Sequence, residues 1–308
     1  MSSPLPSGVF AAGLTPFHSD RSPHHAALAR HVRRLLAHGC EGVLLFGTTG
    51  EGLSLNVGER LNALKAVLSA GLPSKRLLVG TGALALPDAV QLSQKATELG
   101  VGGILVLPPF HFRQVEAEGV FCFYDRLVRA VNDPDLRLYF YHFPELTGVP
   151  IPFSVIERLK EAYPEQIAGI KDSSGEWDHT HALCKDFPSL QVFSGTERLL
   201  LPVLEAGGAG CVSATANVTA PLAAQVVAQW RNAKSPDALQ KQLTNLRTAF
   251  APLPTIAALK HLLAAWSGTS GWTTVRAPLV ELAPEQEDAV DELSERLREA
   301  IDLLDSTD

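Results

Sequence analysis

Ile167-Ala168-Gly169-Ile170-Lys171-Asp172-Ser173-Ser174-Gly175 places one lysine inside an apolar, strand-like run and follows it at once with hydroxyl residues and a glycine. Taking an ammonium out of water costs several kcal/mol unless something compensates, so lysine is seldom buried. Burial favours the neutral amine, the form that attacks a carbonyl carbon to give a Schiff base. Two readings stay open on this stretch alone. Lys171 is a nucleophile, or it sits at a strand end and reaches solvent or pairs with Asp172.

Working outward, helical patterns flank the lysine strand on both sides, over about Phe153 to Ala162 and about Trp177 to Phe187. The same alternation extends along the chain. Further strand candidates are Val9–Leu14, Val43–Phe46, Leu77–Val79, Gly103–Leu107, Leu138–Pro144, Leu190–Gly195 and Gly210–Thr215. Helices are predicted over about Ala26 to His38, from a cap at Asn56 to near Gly71, over Pro87 to Leu99 and over Glu118 to Val131. Asn56 with Glu59 three residues on has the spacing of a capping box. Eight strand candidates, each followed by a helix, within about 230 residues match the length of a closed (β/α)8 TIM barrel. Near-continuous apolar strands fit a parallel sheet buried on both faces. An open doubly wound sheet is the structural alternative, but its Gly-x-Gly-x-x-Gly turn after the first strand is missing.

From about Pro221 onward no strand is predicted. Leu259, Leu262, Leu263 and Trp266 share one helical face, and Val290, Leu293, Leu297, Ile301 and Leu304 another. The expected organisation is therefore a catalytic barrel over residues 1–225 and a C-terminal helical region over 226–308, packed on the barrel or on a second subunit.

Composition removes several function classes. The 308 residues are 46% hydrophobic and 19% charged, with net charge -7 and no dense basic cluster, which speaks against nucleic acid as a partner. Met1-Ser2-Ser3-Pro4-Leu5-Pro6 has neither the charged nor the apolar segment of a secretory leader, and no run is long enough to span a membrane. The expected compartment is the cytoplasm. Cys40, Cys122, Cys184 and Cys211 are scattered and predicted to be reduced. His179-Thr180-His181 is a poor metal site, because helix residues two apart point in different directions. No metal is expected.

The unusual polar residues collect at the predicted C-terminal ends of strands, where a parallel barrel builds its active site. These are Thr48 and Thr49, Tyr141, Lys171, Ser194 and Gly195, and Ser213 and Thr215. Thr48-Thr49-Gly50 offers hydroxyls and glycine-freed N–H groups suited to a small carboxylate, or else forms a plain turn. Tyr141 shares its strand face with Tyr139, and position alone does not choose between the barrel interior and the helix layer. A phenol beside an amine relays protons.

Gly47-Thr48-Thr49-Gly50-Glu51, Tyr141-x-x-Pro144 with Thr147-Gly148, and Gly169-Ile170-Lys171-Asp172-Ser173 resemble the three motifs of the dihydrodipicolinate synthase/N-acetylneuraminate lyase family. Thr15-Pro16-Phe17, Thr215-Ala216-Asn217-Val218 and Val275-Arg276-Ala277-Pro278-Leu279 match it as well. The resemblance covers nearly the whole chain. It implies a TIM barrel, assembled as a homotetramer (a dimer of dimers), acting on pyruvate or another 2-oxo acid and an aldehyde, without metal or organic cofactor. Lys171 would then form the Schiff base and Tyr141 would shuttle protons. Thr48 would pass a proton to Tyr141, Thr49 and the Gly50 turn would hold the carboxylate, and Gly195 and Val212 would line the pocket.

Three departures bear on the substrate. Synthases acting on aspartate semialdehyde resemble Tyr-Asn-x-Pro-x-Arg-Thr-Gly, whereas Leu146 stands here where the arginine that clamps a second carboxylate would be. His111 stands where many members carry a tyrosine reaching a neighbouring subunit's site, and it would relay protons there or pack against an interface. Gly195-Thr196-Glu197-Arg198 replaces the Gly-x-Asp-Glu of sialic-acid lyases, so Glu197 would accept hydrogen bonds from sugar hydroxyls and Arg198 would meet an acid group. The resulting expectation is a Schiff-base aldolase or lyase for a 2-keto-3-deoxy sugar acid or related hydroxy-oxo acid. Dihydrodipicolinate synthase, a dehydratase of deoxy-oxo sugar acids and a non-catalytic 2-oxo-acid-binding regulator are the alternatives.

Overall fold

The computed structural model describes residues 5–305; the stretch at 1–4, part of the segment expected to lack a leader, lies outside the described residues. Eight strands run β1 (Gly8–Ala12), β2 (Gly42–Leu45), β3 (Leu77–Gly80), β4 (Gly103–Val106), β5 (Leu138–His142), β6 (Ile167–Asp172), β7 (Gln191–Ser194) and β8 (Gly210–Ser213). Each pairs in parallel with its sequence neighbours and β8 pairs with β1, which closes the barrel. The expected TIM barrel is therefore observed.

Helices fill the connections: α1 (His25–Ala37), α2 (Val57–Ser69), α3 (Leu86–Glu98), α4 (Ala117–Val131), the one-turn α5 (Pro144–Thr147) with α6 (Phe153–Ala162), α7 (Trp177–Asp186) and α8 (Leu200–Glu205). The chain ends in α9 (Ala216–Arg231), α10 (Asp237–Ala249), α11 (Thr255–Ser267) and α12 (Pro284–Asp305). The capping box predicted at α2 is present: Asn56 Oδ1 accepts from Glu59 N–H at 2.9 Å, and Asn56 N–H donates to Glu59 Oε2 at 3.0 Å. Among the described residues, no helix is long and apolar enough to cross a membrane.

Strand periodicity splits the core into two shells. Val9, Ala11, Val43, Leu45, Phe140 and Ile170 face outward into the helix layer. Phe10, Leu44, Leu78, Leu105, Tyr139, Tyr141, Phe193 and Val212 fill the interior. The Tyr139 ring occupies space left by glycines on both neighbouring strands, since a Cβ on Gly103 or Gly169 would fall 2.6 or 2.7 Å from that ring. Tyr139 thus plugs the barrel and Tyr141 opens above it. The period-2 pattern left both sides of the sheet open for this pair; the interior is the answer.

Helix α9 runs unbroken through the boundary expected at 225/226, so barrel and appendage share it. Pro221 lies inside α9 and has no N–H for the Asn217 carbonyl; that oxygen accepts from Arg34 Nη2 at 2.5 Å instead. The Asn217 amide in turn joins β1 to the β8 exit, donating to Ala12 O at 2.8 Å and Ala214 O at 2.7 Å. The C-terminal helices carry the two apolar faces predicted for them, with Leu259, Leu262, Leu263, Val290, Leu293 and Leu297 buried.

Candidate active site

Adjacent parallel strands β5 and β6 bring Tyr141 and Lys171 side by side as register partners. Both side chains point inward at the C-terminal rim, and both are buried. Lys171 Nζ donates to Tyr141 Oη at 3.1 Å, and Tyr141 Oη lies 3.3 Å from Thr48 Oγ1. The three groups form one continuous hydrogen-bonded line from amine to phenol to hydroxyl. Asp172, the partner weighed for Lys171 in the sequence, faces the other way: neighbouring residues in a strand alternate sides.

Thr48 and Thr49 sit in a turn bracketed by two left-handed residues, Phe46 (φ 57°) and Glu51 (φ 54°). Neither is glycine, and each such residue stores strain on the order of 1–2 kcal/mol. The turn is fastened from behind. Lys260 of α11 donates to Glu51 Oε1 at 2.5 Å, with both side chains fully buried, and Arg276 N–H donates to Glu51 Oε2 at 2.8 Å. Thr15 Oγ1 also donates to Gly50 O at 2.7 Å. Burial pushes the Lys260 ammonium pKa down, opposed by the Glu51 carboxylate.

A cavity of about 790 Å³ opens over this line. Thr48, Thr49, Tyr141, Lys171 and Gly195, all named in the sequence analysis, line it. Arg198 aside, the remaining predicted residues fall elsewhere. Gly50 belongs to the turn but is not among the lining residues, and Val212 belongs to the apolar barrel interior with Phe10 and Tyr139. His111 lies outside the cavity on the surface, in a left-handed conformation (φ 78°) with its ring edge-on to Phe112.

Glu197 requires a correction: it is fully buried and absent from the cavity wall. It accepts hydrogen bonds from the hydroxyls of Ser213, Thr215 (2.5 Å) and Thr219 (2.7 Å). A short 3-10 turn over Glu197–Leu199 aims Glu197 inward at β8 and α9. Its neighbour Arg198 does line the cavity.

Behind the Tyr141–Lys171 pair, the next residues along the two strands form a second cluster. His142 stacks on His179 of α7 with ring centroids 4.5 Å apart, and His179 Nδ1 lies 3.0 Å from Asp172 Oδ2. Thr180 Oγ1 donates to that same oxygen at 2.6 Å, and Ser174 N–H donates to Oδ1 at 3.0 Å. The three ligand-type groups lie within 4.8 Å of one another, yet His142 Nδ1 already accepts from Ile151 N–H at 3.2 Å. Stacking and hydrogen bonds within the set tie the ends of β5 and β6 to α7. His181 turns away and stacks on Trp177, as helix geometry dictates for residues two apart. Burial lowers the His142 pKa to about 4, against the pull of Asp172.

Sequence reasoning missed the far wall. Arg247 and Thr248 of α10, Ala251 and Pro254 to Ala257 around the start of α11, and Pro278-Leu279-Val280 of the C-terminal strap all contribute lining atoms. Pro278 and Leu279 fall in a stretch that matched the family, but nothing local marks any of these residues as cavity wall, because only long-range packing brings the appendage over the barrel mouth.

Barrel, rim and buried lysine–tyrosine pair define a class of enzyme: a TIM-barrel protein with its polar groups at the C-terminal ends of the strands. A model described as the dihydrodipicolinate synthetase family matches residues 5–297. The chain belongs to that family, and it is a lyase of the class I aldolase type. A protein of Chloroflexus aurantiacus named an uncharacterized DapA-like lyase is 36% identical over 293 residues, spanning 95% of this chain and 97% of the relative. A 4-hydroxy-tetrahydrodipicolinate synthase of Methanopyrus kandleri is 30% identical over 227 residues, or 73% of this chain and 74% of that one. Among solved structures, a dihydrodipicolinate synthase from Agrobacterium tumefaciens has 33% identity and a TM-score of 0.84, covering 94% of this chain and 99% of that chain.

Proposed function

We propose that the protein cleaves or forms a 2-oxo acid by way of pyruvate, through an imine on Lys171. The observation that carries this reading is the Lys171 Nζ–Tyr141 Oη–Thr48 Oγ1 line at 3.1 and 3.3 Å, opening on the cavity. In the cleavage direction the neutral amine attacks C2 of the 2-oxo acid. Tyr141 protonates the carbinolamine oxygen, and water leaves. The iminium then accepts the electron pair of the C3–C4 bond while Tyr141 takes the proton of the C4 hydroxyl, releasing an aldehyde. The enamine picks up a proton at C3, and water hydrolyses the imine to free pyruvate and the amine. Thr48 returns protons to Tyr141, and Thr49 with the Gly50 turn holds the C1 carboxylate.

The proposed substrate class is a 2-keto-3-deoxy sugar acid or a related hydroxy-oxo acid. Leu146 supports this against a dedicated aspartate-semialdehyde synthase, since it is half exposed on α5 and supplies no clamp for a second carboxylate at that point. A homotetramer and a cytoplasmic setting belong to the same proposal. His111, with the exposed Phe112 beside it, would then meet a neighbouring subunit. The test is pyruvate release across a panel of 2-keto-3-deoxy acids. Turnover of at least one panel member is the expected result; aspartate-semialdehyde consumption at the level of a dedicated synthase, with no panel turnover, contradicts it.

A further inference from the structure

The cavity over Lys171 carries more positive charge than imine chemistry uses. Its wall includes Arg198, from the turn after β7, and Arg247, from the last turn of α10. Among the described residues, neither guanidinium takes part in an ion pair: of the acidic residues along the wall, Glu145 is exposed and Asp172 turns its carboxylate away to His179 and Thr180. Arg247 Nε is moreover a buried nitrogen with no hydrogen-bond partner. Buried donors are nearly always matched, and no described residue supplies an acceptor to this side-chain nitrogen. A guanidinium is planar and forked, which suits a carboxylate or a phosphate.

Position adds to this. Arg247 belongs to the appendage, whereas Lys171, Tyr141 and the Thr48–Thr49 turn belong to the barrel. The 2-oxo end of a substrate is held by the barrel, so a group reaching the α10 wall is the end that leaves as the aldehyde. The arginine missing from α5, where Leu146 stands, is thus answered by cations on a different part of the mouth.

We propose that Arg247, aided by Arg198, binds a second anionic group, carboxylate or phosphate, on the aldehyde half of the substrate, and so selects anionic over neutral aldehydes. This rests on the Lys171 imine reading above. Were Arg247 only a helix-end cation offsetting the α10 dipole, substituting it would not change acceptor preference.

The test uses the intact protein, with pyruvate as donor and three acceptors: glyceraldehyde, glyceraldehyde 3-phosphate and succinic semialdehyde. The wild type is expected to prefer one of the two anionic acceptors over the neutral one by about tenfold or more in kcat/KM, and which arm wins distinguishes phosphate from carboxylate. Arg247→Met is expected to abolish most of that preference, mainly through KM, and Arg247→Lys to restore part of it. Borohydride trapping of the pyruvate imine is run on every variant, which separates misfolding and failure of the imine reading from failure of this one. If the imine forms but no anionic preference exists, if no acceptor is turned over, or if Arg247→Met keeps the preference, the proposal is overturned.

Discussion

Lys171 and Tyr141 are register partners on adjacent strands, and their side chains meet at 3.1 Å inside a closed barrel. The barrel fixes this distance, because parallel pairing of β5 with β6 leaves neither strand free to slide. Lys171 Nζ also lies 4.3 Å from the centre of the tyrosine ring. One phenol therefore touches the proposed nucleophile with its oxygen and shields it with its face.

Replacing Tyr141 by Phe keeps the ring and removes the Oη atom. Proton transfer by a positioned group contributes about 10²- to 10⁴-fold, so kcat is expected to fall within that range while slow imine formation with pyruvate persists. Steady-state kinetics and trapping of the same sample check this. Unchanged kcat would remove Tyr141 from the proton path.

Thr48→Val keeps the branched shape and deletes the hydroxyl 3.3 Å from Tyr141. The expected loss is about tenfold or more in kcat with KM for pyruvate little altered, since the carboxylate is assigned to Thr49. An effect confined to KM would instead make Thr48 a carboxylate ligand.

Much of this arrangement was legible in the sequence, for physical reasons. Continuous apolar strands separated by capped helices specify a parallel barrel, and polar residues interrupting those strands near their ends mark the rim. Tyr141 was undecided because a period of two says which residues share a side, not which side is the lumen. Glu197 was misplaced because a single tight turn rotates it from the cavity into the interior, while Arg198 one residue on keeps the cavity. Arg247 was invisible, and the Pro278-Leu279 stretch matched the family without revealing its place in the wall, since only the folded path of the C-terminal region carries them over the mouth. The stacked His142 and His179 depend on strand register and on α7 packing at once.

The Lys260–Glu51 pair is predicted to hold the strained Thr48–Thr49 turn. Lys260→Met leaves a carboxylate buried and uncompensated, a loss of about 3–5 kcal/mol for pairs of this kind. Denaturant unfolding is expected to show a loss of this order, with a raised KM for pyruvate in the folded fraction. Replacing both residues, as Glu51→Gln with Lys260→Met, is expected to recover part of the stability. A single variant as stable as the wild type would show that the turn holds itself.

Two buried histidines set the acid side of the stability profile. Burial lowers His31 from 6.5 to about 3 and His142 from 6.5 to about 4. His31 Nε2 donates to Asn217 Oδ1 at 2.7 Å, because the Asn217 amide nitrogen is engaged with two carbonyls. Below pH 6.5 the unfolded chain takes up protons that the folded chain refuses, so stability present above that pH is lost progressively down through 4 and 3. Tm is expected to drop by about 5–10 °C between pH 7 and pH 5, and less steeply in His31→Gln. A Tm that is flat or rises over that interval contradicts the assignment.

The central claim is that Lys171 is the nucleophile. Intact protein is incubated with pyruvate, reduced with borohydride, weighed and mapped by peptide mass. The account predicts one added pyruvate, less one water and plus two hydrogens, on Lys171, and no such adduct in Lys171→Arg. No adduct in the wild type, or an adduct on another lysine, contradicts it.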